Sequence, residues 1–251
     1  MSGRFGPPIV IEREMRTGAI SYWQGEYYQS RADKNGVSLL NYIHAIFGLL
    51  CQKESQSVLM IGCAGGSLAT MLARAGCDVV AVDFNPQAFV LARRHFFLPD
   101  EVECRVADGA DFLRVTRRKF DAIVLDAFRG GRIASELLSE AFFAQSKKRL
   151  RKSGAVFANI HLANDADQSA DRVAAQMAAS FSDVRILDRP GKKYRNAIVM
   201  TGAVRTLKRP PLLIRPTIES TKLERTLAQM QFRTTLPSPV AGEGARRAKG
   251  G

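Results

Sequence analysis

Five short apolar runs punctuate residues 57–160, with helical patterns between them. SVLMIG predicts a strand, and SLATMLARAG predicts a helix closed by Gly76, since glycine accepts the left-handed geometry of a helix end. VVAVDF predicts a second strand, after which Asn85 caps the next helix with Pro86 in its first position. VECRVA and FDAIVLDAF predict the third and fourth strands, the latter continuously apolar over residues 122–125, as in strands covered on both faces. A helix with a basic end, KKRLRK, suits the helix dipole and leads to a fifth strand, AVFANI. A further helix over residues 165–181 precedes VRILD and NAIVMTG, two strands joined by the short loop RPGKKYR. Strands alternating with helices at this spacing imply parallel βαβ units, whereas the last pair predicts an antiparallel hairpin.

The predicted fold is therefore α/β: a doubly wound, Rossmann-like sheet of the class I methyltransferase type, mostly parallel, with a terminal antiparallel hairpin. Turn signals at Gly25 and residues 33–36, with Tyr22, Trp23, Tyr27 and Tyr28 as β-formers, add a small N-terminal β-hairpin and a helix over residues 37–50. The chain divides into residues 1–52 (hairpin and helix), 53–204 (Rossmann-like adenosyl-binding domain), 205–235 (C-terminal extension) and 236–251 (a disordered basic tail). Apolar content of 46% with 24% charged residues excludes a disordered chain.

Net charge is +13, and residues 188–251 hold fourteen Lys/Arg against four Asp/Glu. The basic C-terminal region thus admits nucleic-acid binding, a reading that ranks below a solvated tail. Cys51, Cys63, Cys77 and Cys104 form no C-x-x-C pair, and His44, His95 and His161 form no H-x-x-x-H pair, so no metal is expected. Four scattered cysteines fit a reduced, cytoplasmic protein. The longest apolar stretch, residues 38–51, contains Asn41 and His44 and falls short of the roughly 20 residues that span a bilayer. No membrane partner is expected, and His44 and His161 read as core or loop residues.

In a doubly wound sheet, ligands bind beyond the carboxyl ends of the strands. Four such segments carry candidate site residues. Gly62-Cys63-Ala64-Gly65-Gly66 joins a strand to a helix, where glycines let backbone approach a ligand and the helix N-terminus favours an anionic group. Asp83 ends the next strand, 21 residues past Gly62, where an acid can accept both ribose hydroxyls. Asp108-Gly109 follows the third strand, and its carboxylate can receive an adenine amine. Asp126 ends the most apolar strand and can act as a base or hold an amine. The turn lacks the full G-x-G-x-x-G spacing, so the set suits an adenosyl group better than NAD; G-x-S-x-G and Walker A patterns are absent too.

With these residues in place, the chain resembles the spermidine synthase family (polyamine aminopropyltransferases), in particular its divergent bacterial spermidine-synthase-like branch. The likeness covers residues 25–160 through SVLMIGCAGGSLATML, AVDFNP, RVADGADFL and KFDAIVLDAF. It implies that Gly62, Gly65, Gly66, Asp83, Asp108 and Gly109 bind the adenosyl co-substrate, and that Asp126 deprotonates the attacking amine. GEYYQS and LLNYIHAIF are similar to the hairpin and helix bordering the amine pocket, which places Gln29 and Tyr42 there. The resemblance also implies a homodimer. Departures fall on the diamine side. The family's aspartate inside the glycine turn is Gly65 here, the aspartate three residues after the catalytic one is Arg129, and the acid expected beside Tyr42 is replaced by Ile43-His44-Ala45. A guanidinium where an ammonium should bind opposes a diamine by direct repulsion. Three readings stay open: aminopropyl transfer from decarboxylated S-adenosylmethionine to a small amine; methyl transfer from S-adenosylmethionine to a small or anionic acceptor, with Arg129 binding that acceptor; and a non-catalytic adenosyl-nucleoside binder.

Overall fold

The computed structural model describes residues 7–129, 132–233 and 235. At the N-terminus β1 (Ile9–Arg13), β2 (Ile20–Gln24) and β3 (Tyr27–Ala32) form an antiparallel sheet in that order. The expected hairpin is thus one strand larger, because IVIER pairs residue for residue with β2. Helix α1 (Asn41–Gln52) starts four residues later than its apolar run suggests. Ser38 still bridges Ala32, and Leu39 N donates to Arg31 O, so the chain stays extended up to Leu40.

The main body follows as β4 (Ser57–Ile61), α2 (Ser67–Arg74), β5 (Asp78–Asp83), α3 (Pro86–Phe96), β6 (Glu103–Val106), α4 (Gly109–Val115) and β7 (Phe120–Leu125). A two-residue ladder of β8 (Phe128–Arg129) and β9 (Arg132–Ile133) comes next, then α5 (Glu140–Arg149), β10 (Leu150–Leu162), α6 (Ser169–Ala178), β11 (Val184–Asp188) and β12 (Arg195–Gly202). The chain closes with α7 (Ser220–Ala228) and β13 (Gln231–Arg233). Helix α6 is shorter at both ends than the expected 165–181, and two strand boundaries also differ from expectation. The apolar strand stops at Leu125, leaving Phe128 to the small ladder, and β10 begins at Leu150, which pairs with Phe120 before a register shift.

The eight-stranded sheet runs β13-β11-β12-β10-β7-β4-β5-β6. The five strands from β10 to β6 are parallel, and the other three pair antiparallel. Alternate residues serve opposite faces: Val58, Met60, Ala122 and Val124 pack with α1 and α2, whereas Leu59, Ile61, Ile123 and Leu125 pack with α5 and α6. Both faces are therefore covered, the arrangement that makes these strands apolar throughout. The chain order reverses between β4 and β7, so a crevice opens beyond their carboxyl ends.

The C-terminal extension contributes Leu207, Leu223, Leu227 and Met230 to the core shared with α1. Asp33 ties it down, accepting from Thr217 N through Oδ2 and from Asn35 N and Val37 N through Oδ1. Several C-terminal cations are built into this packing. Arg195 and Arg233 both bond the buried Asp188, and Arg233 also bonds Asp171. Arg185 donates to the carbonyls of Val204, Arg205 and Leu207 and lies 3.5 Å from the Phe232 ring centroid. The basic tail, residues 236–251, lies outside the described residues.

Candidate active site

Two cavities meet at the β4/β7 crevice. One, of about 340 Å³, is walled by the N-terminal sheet, α1, α2, β10 and β12; the other, of about 410 Å³, follows the ends of β4, β5 and β6. Gln29, Cys63, Ala64, Asp126 and Phe128 line both.

The larger cavity is a chamber of strand-end carboxylates. Asp83 is oriented from two sides, accepting from Cys63 N (2.9 Å) through Oδ2 and from Asn85 N (2.9 Å) through Oδ1. Asp108 caps α4, its Oδ1 accepting from Ala110 N and Asp111 N, and it lines the chamber. Gly62 and Gly109 line it too, and both need to lack a side chain. A Cβ on Gly62 (φ +95°) would overlap the Asp126 carbonyl, and one on Gly109 would overlap Ile61 Cγ2. Gly65 and Gly66 line neither chamber. Gly65 N donates to Ser30 Oγ, and Gly66 is packed against Leu98, Ala92 and Cys63.

Asp126 is where the chambers join. Its Oδ2 accepts from Tyr42 Oη (3.1 Å) and its Oδ1 from Asn159 Nδ2 (2.8 Å), while Asn196 Nδ2 donates to Asn159 Oδ1 (2.9 Å). Burial pushes the Asp126 carboxyl above its ordinary range, opposed by the Asn159 and Tyr42 bonds that favour the anion. The same burial, and the neighbouring carboxylate, push the Tyr42 phenol well above its ordinary value. Tyr42 therefore stays a neutral donor. Ala64, at the junction, holds a left-handed backbone (φ +46°) that a non-glycine residue adopts only when its surroundings enforce it.

The sequence-expected Gln29, Tyr42, Asp83, Asp108 and Asp126 are thus brought together. Arg129 lies in β8, and its side chain falls outside the described residues. Asn159 and Asn196 are missed by the sequence reading, although an asparagine inside the β-forming run AVFANI is a usable signal: a buried amide in a central strand needs partners. His161, read as core or loop, lines the smaller chamber, 6.4 Å centroid to centroid from the Tyr194 ring. His44 is buried in α1, bonding Ser38 O at 2.7 Å. Among the described residues no group of three or more His, Cys, Asp or Glu could hold a metal, and no helix is long and apolar enough to cross a membrane.

Residues 58–154 match the family model described as Methyltransferase domain. A polyamine aminopropyltransferase of Chromobacterium violaceum is 33% identical over 168 residues, 64% of this chain and 63% of that protein. One from Neisseria meningitidis is 31% identical over 169 residues, with the same coverage. The chain resembles the polyamine aminopropyltransferases. The match spans 63% of the length of these relatives. Among solved structures, a probable spermidine synthase from Corynebacterium glutamicum aligns with TM-score 0.74 at 17% identity, over 90% of this chain and 87% of that one. Spermidine synthase from Thermotoga maritima aligns with TM-score 0.59 at 13% identity, over 91% and 84%. The methyltransferase-type fold expected from the strand pattern is the one observed.

Proposed function

We propose that this chain is a cytoplasmic aminopropyltransferase of polyamine biosynthesis, acting on decarboxylated S-adenosylmethionine and a small amine. The observation that supports this best is the position of Asp126, a half-buried carboxylate at the junction of a nucleoside-sized chamber and a second chamber. In this reading Asp83 takes the ribose hydroxyls, Asp108 the adenine amine, and Gly62 and Gly109 let the nucleoside lie against backbone. Gly65 and Gly66 shape the turn that carries Cys63 and Ala64. Gln29 and Tyr42 border the acceptor.

The chemistry asks for alignment and a proton acceptor. The amine nitrogen forms a bond to the carbon beside the sulfonium. The carbon–sulfur pair returns to sulfur, methylthioadenosine leaves, and the nitrogen's proton passes to Asp126. A carboxyl whose pKa burial raises is a better base than an exposed aspartate, and the bonds from Asn159 and Tyr42 favour its anion and aim it. A homodimer belongs to the same proposal and is checked by light scattering.

Gly65 supports a second reading, methyl transfer from intact S-adenosylmethionine to a small or anionic acceptor, which Arg129 would bind: the turn offers no acid to hold an ammonium tail. The test is mass spectrometry of products after incubation with either co-substrate and a panel of amines. Amine-dependent methylthioadenosine from the decarboxylated form is the expected result. S-adenosylhomocysteine from the intact form would replace it with methyl transfer, and no product from either would leave neither reading standing.

A further inference from the structure

Packing consumes part of the positive charge near the C-terminus, as with Arg185, Arg195 and Arg233. Folding gathers a different basic surface at the end of the sheet opposite the chambers. Residues 114–119 lead into β7, 147–153 span the end of α5 and the start of β10, and 203–209 leave β12. Together they hold twelve Lys/Arg and no Asp or Glu. Leu150 pairs with Phe120 and Ala155 with Gly202, so the three segments lie side by side on strands about 4.8 Å apart. Lys53 fastens two of them together, its Nζ donating to Ser153 O and Ala203 O.

Five of the twelve cations are tied up locally. Arg114 pairs with Asp111, Arg118 with Asp78 and Glu103, and Arg151 with Asp121, while Lys147 and Arg149 donate to backbone carbonyls. The other seven are exposed and have no side-chain partner among the described residues: Arg117 and Lys119 before β7, Lys148 and Lys152 around the start of β10, and Arg205, Lys208 and Arg209 after β12. Beside them, only Glu54 and Asp183 are acids without an ion-pair partner among the described residues. The other end of the same sheet carries Asp83, Asp108 and Asp126. Charge is thus segregated, acidic at the chambers and basic at the far end.

Cations crowded in this way repel one another until an anion meets them. The matching anion is extended, because the segments cover the ends of three neighbouring strands, and it is met through charge. Val115 is the only large apolar side chain exposed in these segments. They offer neither an aromatic platform for unstacked bases nor apolar anchors for a bilayer interface. A nucleic-acid duplex presents what remains, a phosphate charge about every 1.7 Å along its axis. We propose that this end of the sheet binds the phosphate backbone of a nucleic-acid duplex without reading its sequence, and does so independently of the chambers.

Fluorescence anisotropy of the full chain with a labelled duplex of about 20 base pairs, titrated between about 50 and 200 mM salt, tests this. DNA and RNA versions of one sequence identify the preferred duplex. Seven phosphate contacts give log affinity a slope of about −6 against log salt. Arg117→Gln, Lys119→Gln, Lys148→Gln and Lys152→Gln combined should flatten that slope by about 3–4 and weaken binding at least about tenfold at the lower salt. Arg205→Gln, Lys208→Gln and Arg209→Gln combined should flatten it by about 2–3, and this second set decides the matter if the first does not fold. An unchanged melting temperature shows that each set is folded. Arg246→Gln, Arg247→Gln and Lys249→Gln in the tail should leave the slope nearly unaltered. Affinity and slope retained by the folded strand-end sets, loss of binding in the tail set alone, or no duplex binding at the lowest salt overturns the proposal. Tighter binding to phosphatidylserine-containing vesicles than to either duplex overturns it too.

Discussion

The two chambers are built differently. In the larger chamber Gly62, Asp83, Asp108 and Gly109 each sit at or just past the carboxyl end of a parallel strand, and the two carboxylates are held by backbone amides no more than 20 residues away. In the smaller chamber, side chains hold side chains. Tyr42 reaches Asp126 across 84 positions, Asn159 reaches it across 33, and Asn196 reaches Asn159 across 37. The first chamber follows from local strand–turn–helix geometry; the second exists only once the N-terminal helix and the antiparallel half of the sheet have docked. Substitutions should accordingly separate nucleoside affinity from turnover.

The largest separation is expected at Asp126→Asn, which keeps shape and removes the base. Turnover should fall by about 10²–10⁴, the usual worth of a positioned acid–base group, while methylthioadenosine affinity stays within a few-fold. Parallel loss of both in kinetics and calorimetry would mean that the chambers are not separable. Next is Asp188→Ala, beneath the antiparallel half. It leaves the buried Arg195 with only the exposed Asp165 as an acid partner and takes one carboxylate from Arg233, and should cost about 3 kcal/mol in urea unfolding. Bonds to Arg195 and Arg233 hold the Asp188 carboxyl below its ordinary value. Its stabilisation is therefore present above the ordinary carboxylate range and is lost as pH falls through its folded value, so the variant should show a flatter acid decline. Asp83→Ala should weaken methylthioadenosine binding by about 10–100-fold, with little change in melting temperature. The smallest effect is at Asn159→Ala. The Asn159 bond lowers the Asp126 pKa, so its loss should move the acid limb of the rate profile to higher pH, with a few-fold slower rate near neutrality. Asn196→Ala should act in the same direction and more weakly.

The same contrast explains what was legible in the chain. The succession of strands and helices along the chain, the Asn85 cap and the strand-end carboxylates follow from runs of six to ten residues, and the structure has them where the pattern puts them. Strand β1 and the last elements, α7 and β13, were not legible. Their signals are weak alone, and their stability comes from partners far away, as with Arg233 on Asp171 and Asp188. Asn159 and Asn196 carried a partial signal, polarity inside a β-forming run, but their joint role depends on the β10–β12 register that pairs Asn159 with Ile198 and His161 with Asn196. A register is a property of two strands, and neither strand encodes it alone.

The packing of Gly65 limits how this turn can be rebuilt. A Cβ there would lie 2.8 Å from Ser30 Cβ and 3.0 Å from the Phe96 ring, both behind the turn. Grafting the aspartate that the resembling synthases carry at this point therefore takes more than one codon. Gly65→Asp alone forces the turn against β3 and the Phe96 ring; Ser30→Gly removes the nearer contact, and the Phe96 ring must still give way. An ancestral or laboratory route between the two kinds of turn has to cross that step in pairs.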